Sequence, residues 1–303
     1  MKNKLFVILS LFAAVSCSEK IEIETRSMDI DYLAVESIIT DTPVPQIVKL
    51  SYSTNYFGDN SVPVPASNAK VVITEGSDDY VFTESTPGTY VSPNEFQGEI
   101  GKTYSLHIEL RDKEGRINEY FAESTMPRAG FVLDSIDYKY MGPQLDSSWT
   151  FGIWGTDLPG EDRYFALPGT NGSVYPFDYG LFISDMYFDG KKVDGFPLGI
   201  YTRNAESLTK FGDCAKPLET GDLITLSLFD ITQEFYEFLT AFSTNVSAVS
   251  IPLLTPPPAN LPTNIHGENV FGFFTTCSVV SAFRIVDDPY RTSFGQQGAS
   301  TLQ

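Results

Sequence analysis

Two histidines, three cysteines and 39 acidic side chains are the groups from which this 303-residue chain could build a reactive site. His107 falls on the polar face of a predicted strand, and His266 lies in the turn "NIHGEN". A Ser-His-Asp arrangement needs only proximity in space, but no G-x-S-x-G elbow is present to hold a nucleophile. The H-E-x-x-H, Walker and dinucleotide-glycine patterns are missing as well. Both histidines therefore read as surface residues, and no catalytic residue, metal ligand or cofactor is expected.

The acids are less easily dismissed. A retaining glycosidase needs two carboxylates about 5 Å apart, and with so many acids a close pair arises by chance. Asp78-Asp79 and Asp157…Glu161-Asp162 are groupings where Ca²⁺, a hard ion taking six to eight oxygens, could sit. Neither follows the D-x-[DN]-x-[DN]-G pattern, so both are expected as solvated turns. Cys214 and Cys277 have no His or Cys at metal-ligand spacing. In an exported chain such a pair is expected to bond. Closing a loop of about 64 residues would add roughly 4 kcal/mol in the chain-entropy model; the alternative is two separate buried thiols. Among aromatics, Trp154 and Tyr175 sit with glycines and turns in "SWTFGIWGTD" and "SVYPFDYGLF". They are the candidate ligand or partner contacts, set against the ordinary fate of strand aromatics, which is core.

The elements that would position these residues are mostly strands. From residue 30 to 127, short alternating runs ("DYLAVESIIT", "QIVKLSYST", "AKVVITE", "DYVFTE", "GTYVS", "KTYSLHIELRD", "RINEYFAEST") are separated by Gly, Pro and Asp turns. About seven such runs in a hundred residues predict an immunoglobulin-like β-sandwich. "MPRAG" (126–130) reads as a linker or corner. A second β-rich domain follows over 128–286, through "FVLDSIDYKY", "WTFGIWGTD", "RYFALPG", "LFISDMYF" and "DLITLSLFD". It carries one amphipathic helix, 231–243, with Asp230 as its cap and Gln233 completing a capping-box variant. Five prolines between 252 and 262 make the next segment stiff and extended. Residues 287–303 read as a polar, frayed tail.

The chain begins with Lys2 and Lys4, then an apolar run of eleven residues, Leu5 to Val15, broken only by Ser10. That run is shorter than the roughly 20 residues that span a bilayer and fits a signal peptide over 1–16. Ala14-Val15-Ser16-Cys17 resembles a bacterial lipobox, which makes Cys17 the lipidated first residue of the mature chain and 17–29 a tether. Durable anchoring takes two lipid signals. Removing residues 1–16 deletes two lysines and no acids, so the formal charge moves from -19 to -21. Nucleic acid, which rewards Lys and Arg, is excluded as a partner.

Five segments in order, "LAVESIITD", "FQGEIGKTYSLHI", "ESTMP", "GDLITLSLFDITQEFYEFL" and "PPANLPTNIHGENVFGFF", resemble the domain-of-unknown-function 4249 family. These are lipoproteins of Bacteroidota commonly encoded beside TonB-dependent outer-membrane receptors. The resemblance implies no catalytic residues. It implies an outer-membrane, surface-exposed accessory that captures a ligand for, or docks on, a TonB-dependent receptor. "SEKIEIE" after Cys17 resembles the acidic surface-export signal of that phylum, and Asp134-Ser135-Ile136 its short O-glycosylation signal at Ser135. The alternatives are a structural or adhesive envelope component and, behind it, a glycan hydrolase.

Overall fold

Side chains on a strand alternate between its two faces, and that alternation builds most of this protein. The structure, a computed structural model, describes residues 32–53, 63–94, 96–112, 115–145, 148–174, 180–201, 216–247, 261–295 and 300–302. The first strand set is β1 (Leu33–Thr40), β2 (Ile47–Tyr52), β3 (Val64–Pro65), β4 (Lys70–Glu75), β5 (Asp78–Thr86), β6 (Thr89–Val91), β7 (Thr103–Arg111) and β8 (Ile117–Thr125). The second is β9 (Phe131–Tyr140), β10 (Trp149–Asp157), β11 (Arg163–Thr170), β12 (Ser173–Val174), β13 (Leu181–Ser184), β14 (Lys192–Tyr201), β15 (Leu223–Asp230), β16 (Val270–Ile285) and β17 (Ser300–Leu302). Helix α1 (Gln233–Ser247) lies between β15 and β16. The mostly β class expected from the sequence is what the chain adopts, with one large sheet, one three-stranded sheet and a single α-helix among the described residues.

In the first set, β5 pairs with β4 over Asp78–Phe82 and with β6 over Thr83–Thr86, so one strand passes from one layer to the other. Leu33, Val35, Val48 and Leu50 from one layer meet Val71, Ile73, Leu106 and Ile108 from the other in a common core. β7 shows the pattern most plainly: Tyr104, Leu106, Ile108 and Leu110 are buried.

The boundary expected at 127/128 is a change of strand set within a shared sheet. The sixteen-residue β16 pairs in parallel with β1 over Val270–Cys277, then antiparallel with β15 over Ser278–Ile285. Its Phe274 joins the first core, its Ala282 joins the second, and Asp31–Gln303 forms one compact unit. The segment before β16 fastens this join. Asn264 accepts the Phe274 N–H (3.0 Å) and donates to the Phe274 carbonyl (2.7 Å), a side chain imitating a ladder partner. His266 exchanges two backbone bonds with Phe121 of β8.

Two further expectations change. Helix α1 is capped by Thr232, whose hydroxyl accepts the Phe235 N–H at 3.2 Å, and not by Asp230. Asp230 is buried and turned elsewhere, because its carboxylate is recruited by a backbone amide a hundred residues away. Phe235 and Leu239 on the apolar face of α1, with Ile231 just before it, are buried against Phe165, Phe273 and Cys277.

Residues 287–295, expected to fray, form a strap over the three-stranded sheet. Trp149 Nε1 donates to the Pro289 carbonyl (2.6 Å), Arg291 pairs with buried Asp137, and Gly295 N donates to Asp137 Oδ2 (2.5 Å). The strap's charges read as solvated in sequence because their buried partner lies some 150 positions away.

Candidate partner-contact site

The carboxylates at residues 157–162 are not in a solvated turn. Asp157 closes β10 and is fully buried, Asp162 precedes β11 and is 9 % exposed, and a second turn, 185–191, packs against them. That turn is closed by Phe188 N–H and Asp189 N–H bonds to the Asp185 carbonyl (2.7 and 2.9 Å) and by Lys191 N–H to the Phe188 carbonyl (2.9 Å). Gly190 supplies its left-handed residue, at φ +67°.

Each aspartate staples one turn to the other. Asp157 Oδ2 accepts the Gly190 N–H (2.9 Å), and its Oδ1 accepts the Tyr164 hydroxyl (2.5 Å). Asp185 Oδ2 accepts the Asp162 N–H (2.8 Å), and Asp189 Oδ1 accepts the Gly160 N–H (2.9 Å). Arg128, from the linker, binds the Asp162 carboxylate (2.5 Å) and the Leu158 and Pro159 carbonyls (3.1 and 2.8 Å). Phe188 anchors the turn by packing on Tyr164 and Phe196. Burial raises the Asp157 carboxyl above the usual carboxylate range, against the lowering effect of its Tyr164 and Gly190 bonds. Burial, then the bond to Asp157, raises the Tyr164 hydroxyl.

One oxygen each from Asp157, Asp185 and Asp189 lies within 4.8 Å of the others, close enough for a cation. These carboxylates already accept N–H and O–H donors of the protein, and their evident work is to brace the loop. What the brace presents is Met186 and Tyr187, 68 % and 78 % exposed. These are the two most exposed large apolar side chains among the described residues, and they are adjacent in sequence. Scattered exposed apolar residues are ordinary; an adjacent pair on a braced loop is the candidate contact surface of the described residues. Tyrosine is favoured at interface hot spots, and methionine adapts its shape to a partner.

The residues singled out from sequence fare differently. Trp154 and Ser135 are cross-strand partners in β10 and β9, at 8 % and 6 % exposure. Trp154 is no contact residue: it lies edge-on to Phe294 of the strap, 5.3 Å between centroids. Ser135 offers no accessible hydroxyl to a glycosyltransferase in the folded chain. Cys277 is a fully buried thiol, raised well above its ordinary range by burial, and its expected bridge partner Cys214 is not among the described residues. Cys17, Tyr175 and Cys214 lie outside the described residues. The His107 ring stacks flat on Phe121, 4.5 Å between centroids, instead of standing free in solvent. Met186 and Tyr187 escaped notice because "LFISDMYF" scans as one strand, although the strand stops at Ser184. The signal was the pair of aspartates, Asp185 and Asp189-Gly190, bracketing an apolar triplet at turn spacing.

Fold and site together define a mostly β protein that holds a hydrogen-bonded loop out to solvent from a braced acidic corner. The chain belongs to the family of the domain of unknown function DUF4249, whose model matches residues 18–282. No curated protein matches it. No described helix is long and apolar enough to cross a membrane.

Proposed function

We propose that this is a noncatalytic lipoprotein, anchored through Cys17 to the outer membrane and exposed at the cell surface, that docks on a partner protein through the Met186–Tyr187 loop. The observation that carries the reading is the braced loop, because a pre-organised apolar pair loses little entropy on binding. The lipobox-like run at Cys17 supports the anchor. The resemblance to receptor-associated lipoproteins supports a TonB-dependent receptor as the partner. The buried carboxylates favour a noncatalytic role, since Asp157, Asp162 and Asp185 are engaged by donors of the fold.

Affinity capture from gently solubilised membranes tests it. The wild-type chain recovers a receptor barrel, and the Met186→Ser/Tyr187→Ser double variant loses most of it while remaining membrane-bound. Equal recovery by both chains, or no barrel from either, overturns the docking assignment.

A further inference from the structure

Asp230 ends β15 at the point where the linker, β16 and the turn after β1 converge, and it is 2 % exposed. Its Oδ1 accepts the Gly130 N–H at 2.8 Å, and its Oδ2 lies 3.2 Å from the Ser278 hydroxyl. Among the described residues its hydrogen-bond partners carry no positive charge. Arg128 is committed to Asp162, and Arg163 turns its side chain to Asp185 and Glu161 while its carbonyl accepts the Ile231 N–H. Facing Asp230 are further acids. A Cβ on Gly130 would lie 2.7 Å from Asp162 Oδ2 and 2.8 Å from Asp230 Oδ1, so the two carboxyl groups flank this glycine closely. Asp41, bound to the Val279 N–H, adds a third acid, and Tyr164 and Cys277 stand nearby as neutral groups.

We propose that Asp230 is a proton-operated fastener of the seam between the two strand sets. With its proton it ties Gly130 and Ser278 together. Without it, an unneutralised buried charge faces Asp41 and Asp162 and loosens the linker. Oδ1 receives the Gly130 amide and, in the ionised form, Oδ2 receives the Ser278 hydroxyl; protonation of Oδ2 turns that second bond round, so that Asp230 donates to Ser278 Oγ. The two donors favour the ionised form, but burial first, then Asp162 and Asp41, outweigh them and push the carboxyl up to about 7.

The sign follows from linkage. The folded chain holds this proton more tightly than the unfolded chain does. The contribution is therefore complete below the unfolded value of 3.8 and is lost as pH rises toward 7. Across that window the unfolding constant rises by up to about a thousandfold from this group alone.

Two measurements on the full chain test the fastener. Carbon-13 NMR of the Asp230 carboxyl, assigned by its disappearance in Asp230→Asn, should titrate with a midpoint between about 6 and 8, moving down in Asp41→Asn. A midpoint near that of a free aspartate overturns the proposal. Denaturant unfolding between pH 5 and 8 should show wild type weakening by at least about tenfold in the unfolding constant. Asp230→Asn should be flatter over the same range and the more stable chain at pH 8. An unchanged slope in the variant overturns it equally.

Discussion

The β4–β5 turn, with Asp78 and Asp79, and the corner that carries Asp157 and Asp162 are both short acidic stretches at strand ends, and they come to opposite physical states. Asp78 and Asp79 stay exposed, and a Thr74 hydroxyl donates to Asp79 at 2.6 Å. Asp157 and Asp162 are buried, joined by Asp185, and bonded to two tight turns and an arginine from the linker. The difference lies in what surrounds them. The first turn is an exposed hairpin tip. The second is met by a loop from downstream, which supplies the Gly190 N–H to Asp157 and takes the Asp162 N–H on Asp185 Oδ2. A carboxylate becomes structural when the fold replaces its water with fixed donors, even where, as at Asp157, burial still raises its proton affinity.

The comparison can be broken in order of size. Asp157→Ala strands the Tyr164 hydroxyl and the Gly190 N–H inside the corner and should cost about 3 kcal/mol in denaturant unfolding. Arg128→Ala, which leaves Asp162 without its cation and frees two carbonyls, should cost about 2 kcal/mol by the same measurement. Asp79→Ala should fall within about 0.5 kcal/mol of wild type. The Met186→Ser/Tyr187→Ser chain should be just as stable as wild type, since exposed side chains contribute little to folding. If Asp79→Ala proved as damaging as Asp157→Ala, the two turns would be equivalent and the brace would be no brace.

Strand positions were legible because alternation is local, and β7 buries the four residues its pattern names. The amphipathic face of α1 was legible for the same reason. Contacts made across long sequence distances were not. Asp230 reaches Gly130 instead of capping its own helix, and Arg291 reaches Asp137, 154 positions away. Trp154 is buried with Phe294 of the strap edge-on to its ring and Gly195 of β14 close beside it, neither of which its own sequence neighbourhood announces. The contact loop was hidden by its own apolar residues, which extend a strand pattern past the point where the backbone turns.

The account turns on Tyr187 being the point at which another protein touches this one. A photo-crosslinking amino acid placed at position 187 in living cells, with one at exposed Tyr290 as control, tests that directly. The account predicts a discrete adduct with an outer-membrane protein at position 187 and none at 290. An adduct at 290 alone, or none at 187 in cells that carry the anchored chain, would contradict it.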